Sequence, residues 1–420
     1  MTDPVGLRRL PGWALLLACA LSACTSAPSA PGPSATLSVT AVAPEQVNVA
    51  SPCVSAGATT SELANLARVG PSSGVWVGMN LDWGSETIAG VAGQLDHPPA
   101  TVVTFVSFPL TVADTTDLDL AARQTHDAEA VLIVTLQPWG GLSTVTDGGI
   151  ADLARRLSRY GAEGVPTIVR FAHEMNGSWY PWSQDPTAYI AAFRRVADAI
   201  HATAPTAAMV WAPNEGEGYP YAGGKHGAAA GTAAARALDT NGDGRLGPGD
   251  DPYAPYWPGA SYVDWVAMSL YHWGATYPWG ANTLPATGKF HKLITGSPSS
   301  EGASVPDFYT GYAERYDKPL AIMETAAFYR PGGGGATESA IKNAWLAQVF
   351  SADTRSTFPL LRMVNWFEWR KFETEVTATV DWRVATDPMT RAAFLAAMTD
   401  GFSLGPAIRR SAPPVGCSAR

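Results

Sequence analysis

Eight apolar, β-branched runs recur along the chain and alternate with stretches that carry apolar residues at helical spacing. The candidate strands are Val75–Leu81, Val102–Phe108, Ala130–Gln137, Thr167–His173, Ala208–Ala212, Val263–Tyr271, Leu320–Thr325 and Leu361–Phe367. Candidate helices include Asp117–Ala128, Gly149–Tyr160, Thr187–Ala202 and Glu338–Ser351. This alternation over about 330 residues predicts a (β/α)8 TIM barrel that forms a single α/β catalytic domain. The alternative is a doubly wound open sheet, which is disfavoured because no glycine-rich phosphate-binding motif follows the first strand.

Chemistry in such a barrel takes place at the carboxyl ends of the strands. Polar and aromatic residues cluster at those ends, at Gln137 to Trp139, His173-Glu174, Asn214-Glu215, Tyr271 to Trp273, Glu324, and Trp366 to Arg370. Packing alone does not account for this clustering. We therefore expect a functional site at this end of the barrel.

The stretch from Arg170 to Trp182 is the densest of these clusters. Its apolar run ends at His173-Glu174, an Asn-Gly turn follows, and Trp179, Tyr180 and Trp182 come next. A carboxylic acid at a strand end can protonate a leaving oxygen, and aromatic rings can stack on sugar rings. The stretch therefore indicates a sugar-cleaving site, and the alternative is a strand end with a few exposed aromatic residues.

A second carboxylate, Glu324, ends the seventh candidate strand. Strands four and seven face each other across a barrel, so Glu174 and Glu324 are expected to converge. Retaining glycosidases place two such carboxyl groups about 5–5.5 Å apart, one as the acid and one as the nucleophile. Tyr271, at the end of the neighbouring sixth strand, could orient Glu324 through its hydroxyl, and His173 could support Glu174.

These residues together resemble glycoside hydrolase family 26, a clan A group of (β/α)8 enzymes dominated by β-mannanases. The resemblance implies that Glu174 is the acid/base, that Glu324 is the nucleophile and that Tyr271 contacts the nucleophile. It also implies that the subsite of the attacked sugar is lined by His173, Trp179 and Trp369, with Arg170 in support. Further candidates for substrate binding are Trp139, Tyr180, Trp182, Trp273, Trp366 and Arg370, with Trp366 competing with Trp369 for the stacking role.

The expected activity is retaining hydrolysis of a β-1,4-mannan-type polysaccharide. The same chemistry on mixed-linkage β-glucan, xylan or a cell-envelope glycan is the alternative, because loops set the substrate in this family. A surface lipoprotein that binds glycans without cleaving them is a third possibility, which the opposed glutamates disfavour. The net charge of -9 and the lack of a basic patch argue against a nucleic-acid partner. A monomer is expected.

A calcium loop is predicted between the fifth and sixth strands, in an insertion at about residues 213–262. Loop positions 1, 3, 5, 7 and 12 of an EF-hand-type motif are occupied by Asp239, Asn241, Asp243, Arg245 and Asp250. Arg245 would contribute its backbone carbonyl, and Asp251 could compete with Asp250. A structural calcium is therefore expected, whereas the chemistry needs no cofactor. The alternative is a metal-free loop of Asx turns.

The first residues resemble an export signal. Arg8 and Arg9 precede an apolar stretch that ends at Cys24 in a sequence similar to a bacterial lipobox. We therefore expect a signal peptide at 1–23 and a lipid on Cys24, which would anchor the protein on the outer face of the cytoplasmic membrane. The alternative is an ordinary signal peptide and secretion.

The remaining boundaries follow from composition. Residues 24–68, rich in Ser, Ala, Pro and Thr, are predicted to form a tether, 69–405 the barrel and 406–420 a tail. Cys53 and Cys417 are expected to form a disulfide in an oxidising compartment, and two free thiols are the alternative.

Overall fold

Eight parallel strands close into a barrel in the computed structural model, which describes residues 58–277, 279–298, 304–399 and 401–408. The strands are β1 (Val75–Leu81), β2 (Thr101–Ser107), β3 (Val131–Gln137), β4 (Thr167–Phe171), β5 (Ala207–Trp211), β6 (Trp265–Ser269), β7 (Leu320–Thr325) and β8 (Leu361–Glu368). Each strand pairs with the next along the chain, and β8 closes the circle by pairing with β1. The predicted (β/α)8 barrel is therefore confirmed.

The predicted strands agree with the observed ones to within about two residues at each end. The fourth was predicted to continue to His173, but β4 ends at Phe171. The cause lies in the backbone, because Ala172 and Glu174 have φ angles of 46° and 53°, which an extended strand does not allow. The end of β4 is therefore a turn that redirects the chain at the predicted acid.

Ten α-helices are present in the described ranges. They are α1 (Thr60–Val69), α2 (Ile88–Leu95), α3 (Val112–Asp127), α4 (Asp147–Ala162), α5 (Pro186–Thr203), α6 (Ala233–Leu238), α7 (Lys289–Thr295), α8 (Glu338–Val349), α9 (Ala352–Thr357) and α10 (Pro388–Ala396). Local sequence explains many of their starts. The Thr111 side chain accepts from the Asp114 N–H in a capping box, and α5 begins with Pro186 directly after an Asp185 cap.

Alternate residues of each strand pack into two separate cores. On β3, Val131 and Ile133 belong to one apolar cluster, whereas Leu132 and Val134 belong to the other. This period of two separates the barrel interior from the layer between strands and helices. The interior is therefore filled with side chains, and a substrate can approach only at the ends of the strands.

Helix α1 corrects the predicted boundary of the tether, because it begins at Thr60, inside the predicted range 24–68. It begins with a capping box at Thr59, and its residues Leu63 and Ala67 are buried. The carbonyl of Ala67 accepts a 2.6 Å hydrogen bond from the indole N–H of Trp265, the first residue of β6. The helix therefore packs on the amino ends of the strands, and the barrel domain begins before residue 69.

Other predictions about the ends of the chain fall outside the described residues. These are the signal peptide, the tether up to residue 57, Cys24, Cys53, Cys417 and most of the tail. Within the described ranges, no helix is both long enough and apolar enough to cross a membrane.

Candidate active site

Glu174 lies three residues beyond β4 on a strained turn. Its backbone N–H donates a 2.9 Å hydrogen bond to the carbonyl of Ala212, which follows β5. Two non-glycine residues with positive φ within three positions are costly, and such strain tends to occur at functional sites. The turn therefore holds the Glu174 carboxyl at the carboxyl end of the barrel.

The surroundings of Glu174 favour its neutral form. Its side chain is buried, and the indole N–H of Trp179 donates a 3.0 Å hydrogen bond to Oε2. Burial raises the pKa of Glu174 to about 7, and the charge of Glu324 adds to this effect, whereas Arg170 acts in the opposite direction. A carboxyl group with a pKa near neutrality is suited to both donating and accepting a proton.

Glu324, the fifth residue of the six-residue strand β7, is contacted by two strong donors. The guanidinium of Arg170, fully buried on β4, contacts Oε1, and the hydroxyl of Tyr271 donates a 2.5 Å hydrogen bond to Oε2. Burial, and then the charge of Glu324, hold the pKa of Tyr271 well above its ordinary value, so that residue remains a phenol donor. Both oxygens of Glu324 therefore have fixed positions.

His173 is a neutral, buried member of the same site. Burial, and then the charge of Arg170, hold its pKa well below the ordinary value. Its ring lies 5.0 Å from that of Tyr180 and 5.9 Å from that of Phe105. His173 therefore supports the turn that carries Glu174 through ring packing.

The candidate aromatic platforms differ in exposure. Trp139 is 51% exposed and packs edge-on against Tyr180, with 5.8 Å between the ring centroids. Trp179 is partly buried between Glu174 and Tyr221. Trp139 and Trp179 therefore leave aromatic surface available near the acid.

Two of the predicted platforms are wrong. Trp182 and Trp366 are completely buried, and their indole N–H groups donate to the carbonyls of His173 and Trp382 at 2.7 and 2.9 Å. Since neither ring has a free face, neither can stack on a sugar. Of the two tryptophans that competed for the stacking role near the end of β8, only Trp369 retains exposed surface.

The remaining candidates lie on the opposite side of the site. Trp369 stacks on Phe367 with 5.7 Å between ring centroids, and Trp273 packs edge-on against Trp382 at 4.8 Å. Arg370 is exposed, and its Nε lies 3.6 Å from Asp381. Arg370 begins a short antiparallel hairpin, formed by Arg370–Glu373 and Ala378–Asp381.

Two polar residues that lie in the site were not predicted from the sequence. Ser269, the last residue of β6, is completely buried and accepts a 2.6 Å hydrogen bond from Arg170 Nη2. Tyr221 belongs to the insertion after β5, and its ring contacts that of Trp179 with 5.0 Å between centroids. A single serine in an apolar run gives little signal, although its inward position on the strand that leads to Tyr271 was a clue.

The predicted calcium loop folds as a series of side-chain caps on backbone N–H groups. Asp239 accepts from Gly244 at 2.8 Å, Asn241 accepts from Asp243 at 2.9 Å, and Asp243 accepts from Arg245 at 2.8 Å. Such Asx-type bonds fit both a cation-binding loop and a metal-free one.

Two further observations bear on a cation at this loop. Asp239 Oδ1 is buried and accepts no hydrogen bond within the described part of the chain, so it fits the role of a ligand. Asp250, in contrast, accepts from the N–H groups of Thr240 and Gly247. In the same ranges, no three His, Cys, Asp or Glu side chains are grouped closely enough to hold a metal. Calcium therefore stays a prediction.

Comparison with known proteins relates this site to a known class. Residues 126–222, which include Arg170 to Trp182, match the model of glycosyl hydrolase family 26. Endoglucanase H of Acetivibrio thermocellus is 25% identical over 294 residues, which cover 67% of this chain and 26% of that relative. The segment that carries Glu174 is therefore similar to glycoside hydrolases. The resemblance to family 26 is confirmed, and the chain spans about a quarter of the length of the curated relative.

Solved structures agree with the barrel fold. A Cellulomonas fimi endo-β-1,4-mannanase double mutant has a TM-score of 0.53 at 14% identity, over 85% of this chain and 79% of the other. The catalytic domain of a Bacillus sp. JAMB-750 endo-β-1,4-mannanase has a TM-score of 0.51 at 14% identity, over 83% and 92%. At this identity the likeness concerns the barrel fold.

Proposed function

We propose that the barrel hydrolyses β-linked polysaccharide with retention of anomeric configuration. The observation that carries the proposal is the contrast between two glutamates at one barrel end. The pKa of Glu174 is raised to about 7, whereas Glu324 is held by Arg170 and Tyr271. One carboxyl group is thus suited to carry a proton, and the other is oriented for attack.

The first step is the formation of a glycosyl ester. Glu324 attacks the anomeric carbon while Glu174 donates its proton to the glycosidic oxygen, which leaves as an alcohol with the rest of the chain. Tyr271 and Arg170 hold the attacking carboxylate in position, and transfer of their hydrogen bonds to the ester would accompany the loss of its charge.

The second step uses the same residues with reversed proton flow. Once Glu324 is an ester, its negative charge no longer raises the pKa of Glu174. Glu174, now ionised, takes a proton from water as the water attacks the anomeric carbon, and Glu324 leaves as a carboxylate. The loss of one charge therefore converts the acid of the first step into the base of the second.

As substrate we propose a β-1,4-mannan. The support is that the similar solved structures include endo-β-1,4-mannanases. A β-glucan is the second candidate, because the curated relative with 25% identity is an endoglucanase. Xylan and cell-envelope glycans rank below these two, because only the shared chemistry of the glutamate pair speaks for them.

A side-by-side assay of mannan, mixed-linkage β-glucan and xylan tests this proposal. We expect new reducing ends from mannan, and the first product detected by proton NMR should have the β configuration. The matched control is the Glu324→Gln variant, which keeps the size of the side chain. An α product at first turnover would contradict retention, and cleavage of β-glucan alone would assign the second substrate.

We also propose that loop 239–250 binds a structural calcium through Asp239, Asn241, Asp243, the carbonyl of Arg245 and Asp250. The support is the ligand spacing and the buried, unpaired Asp239 Oδ1. Chelation should lower the melting temperature, since a ligand that binds only the folded state stabilises it. An Asp239→Ala variant should melt at the same temperature with and without chelator. A wild-type protein that is equally insensitive would contradict the calcium.

For the ends of the chain we propose export and lipidation at Cys24, with a disulfide between Cys53 and Cys417. The support is the lipobox-like sequence before Cys24 and the even pair of remaining cysteines. Mass spectrometry of the membrane fraction should find a lipid on wild type and none on Cys24→Ala. Alkylation before and after reduction counts the free thiols, and two free thiols without reductant would contradict the disulfide. Light scattering tests the expected monomer.

A further inference from the structure

Trp382 lies directly after the hairpin formed by Arg370–Glu373 and Ala378–Asp381, and its ring packs against that of Tyr271. The side chain of Trp382 is almost completely buried. Its ring meets the ring of Tyr271 edge-on with 5.3 Å between the centroids, and it meets Trp273 edge-on at 4.8 Å. Edge-to-face contacts are directional, so they restrain the orientation of the neighbouring ring as well as its position.

Three hydrogen bonds hold Trp382 in this place. Its backbone N–H donates to the carbonyl of Trp369 at 2.9 Å, and its own carbonyl accepts from the indole of Trp366 at 2.9 Å. Its indole N–H donates at 2.7 Å to Oε1 of Glu373, the last residue of the first hairpin strand. Because both backbone groups and the ring nitrogen are bound, the ring cannot turn away from Tyr271 without breaking a buried hydrogen bond.

The hydroxyl of Tyr271 depends on such contacts for its position. It donates to Oε2 of Glu324 at 2.5 Å from the far end of a long side chain. Rotation about the Cα–Cβ bond would carry the hydroxyl away from the carboxylate, and packed neighbouring rings oppose that rotation. Two such rings are those of Trp382 at 5.3 Å and Phe367 at 5.9 Å, both edge-on.

We propose that Trp382 is a positioning residue that holds the Tyr271 hydroxyl on Glu324, and that Glu373 anchors Trp382 from the hairpin. This role rests on the proposed function, in which Glu324 must keep one direction for its attack on the anomeric carbon. Trp382 acts through Tyr271 and does not need to touch the sugar. A change at Glu373 therefore reaches Glu324 through two intervening side chains.

A tryptophan that only fills space behind the hairpin would behave differently. Its loss would lower the stability of the fold, but the effect on kcat would not depend on the Tyr271 hydroxyl. If Trp382 acts through that hydroxyl, its removal should matter little once the hydroxyl is absent, because the effects of residues that act as a unit are not additive.

The test is a double-mutant cycle on kcat. Trp382→Leu removes the ring, and we expect a roughly tenfold fall in kcat on polysaccharide when Tyr271 is present. In the Tyr271→Phe background the same substitution should lower kcat by about twofold or less. Equal falls in the two backgrounds would overturn the proposal.

The matched control is Trp265→Leu, and thermal melting verifies the fold of every variant. Trp265 is also completely buried, and its indole N–H also binds a carbonyl, that of Ala67, at the amino end of β6. Its loss should change kcat by the same factor with and without the Tyr271 hydroxyl. A dependence on that hydroxyl as strong as that of Trp382→Leu would make the coupling non-specific and would overturn the proposal.

Two milder substitutions keep the test valid if Trp382→Leu does not fold. Trp382→Phe keeps a ring beside Tyr271 but lacks the indole N–H, whereas Glu373→Ala removes its acceptor. Each should lower kcat by about threefold, and the two together by no more than one alone, because both remove the same hydrogen bond. Glu373→Gln, which keeps an acceptor oxygen, should retain the wild-type kcat. Falls that multiply would overturn the anchoring by Glu373.

A measurement without hydrolysis separates this role from the proposed function. In crystal structures, the Tyr271 hydroxyl should leave Glu324 Oε2 in Trp382→Leu, or in Glu373→Ala if the former does not fold, and should stay within hydrogen-bond distance in Trp265→Leu. If wild type cleaves polysaccharide and the hydroxyl stays in place in every variant, the role of Trp382 is wrong and the hydrolase assignment stands. If the hydroxyl moves as expected but no polysaccharide is cleaved, the positioning of Tyr271 is supported and the proposed function is wrong.

Discussion

Glu174 and Glu324 are identical residues at one end of one barrel, yet their surroundings differ in two ways. Glu324 lies within a regular strand, and both its oxygens are held by Arg170 and Tyr271. Glu174 lies beyond its strand on a left-handed turn, and burial and a neighbouring charge raise its pKa to about 7. The comparison shows that donors and burial, more than residue type, assign a carboxyl group its chemical role.

The largest expected effect comes from removing the held carboxylate. Glu324→Ala should lower hydrolysis of every substrate by roughly 10⁴-fold or more, since the group that would form the ester is removed. Initial rates on polysaccharide and on aryl glycosides measure this loss, and thermal melting verifies the fold. Residual activity close to wild type on either substrate would contradict the assignment of Glu324 as the nucleophile.

Removal of the Glu174 carboxyl group should slow the cleavage of polysaccharides more than that of aryl glycosides. Glu174→Ala should slow polysaccharide cleavage by about 10²–10⁴-fold, because the leaving alcohol is no longer protonated. Aryl glycosides with acidic leaving groups need no such proton, so their first step should be largely spared and a burst of released phenol should appear. Stopped-flow absorbance measures the burst. Equal losses on both kinds of substrate would assign Glu174 a structural role.

A smaller effect is expected when one donor to Glu324 is removed. Tyr271→Phe deletes the hydroxyl that donates to Oε2, and a hydrogen bond to a charged group is worth about 1.5–3 kcal/mol. The expected loss in kcat is therefore roughly tenfold to a hundredfold. Tyr189→Phe is the matched control, since that hydroxyl is buried in the core and has no hydrogen-bond partner among the described residues. A similar loss in both variants would make the effect of Tyr271 non-specific.

The smallest expected effect concerns the pH dependence of kcat/KM. Glu174 must be protonated in the free enzyme, and its pKa is raised to about 7, so kcat/KM should fall as the pH rises through about 7. The same shift affects stability. A pKa raised above the value of 4.5 stabilises the folded state fully below about pH 4.5, and this contribution is lost as the pH rises through about 7. Glu174→Gln should lack both dependences. A wild-type profile flat from pH 5 to 9 would contradict the environment assigned to Glu174.

Much of the barrel was predictable because strands buried on both faces appear as apolar runs, and their carboxyl ends then follow by counting. The meeting of Glu174 and Glu324 with Tyr271 was predictable for the same reason. The burial of individual rings was not predictable. A tryptophan near a strand end has the same sequence context whether its ring faces a substrate or its indole N–H binds a neighbouring carbonyl. Trp182 and Trp366 were misassigned for this reason.

Other features depend on contacts between distant parts of the chain. Ser269 belongs to the site through its hydrogen bond with Arg170, about a hundred residues earlier. Helix α1 lies at the end of a stretch of small and polar residues, and its Ala67 carbonyl is bound by a tryptophan almost two hundred residues away. Local pattern does not contain such pairings, and the turn at Ala172 likewise results from packing rather than from residue type.

The packing of α1 on the amino ends of the strands has a consequence for access by long polymers. Glu174 and Glu324 lie at the carboxyl ends of the same strands, so α1 and the two glutamates are at opposite ends of the barrel. A polysaccharide bound at the two glutamates therefore does not collide with α1. For the proposed hydrolysis, α1 therefore does not restrict binding to the end of a chain.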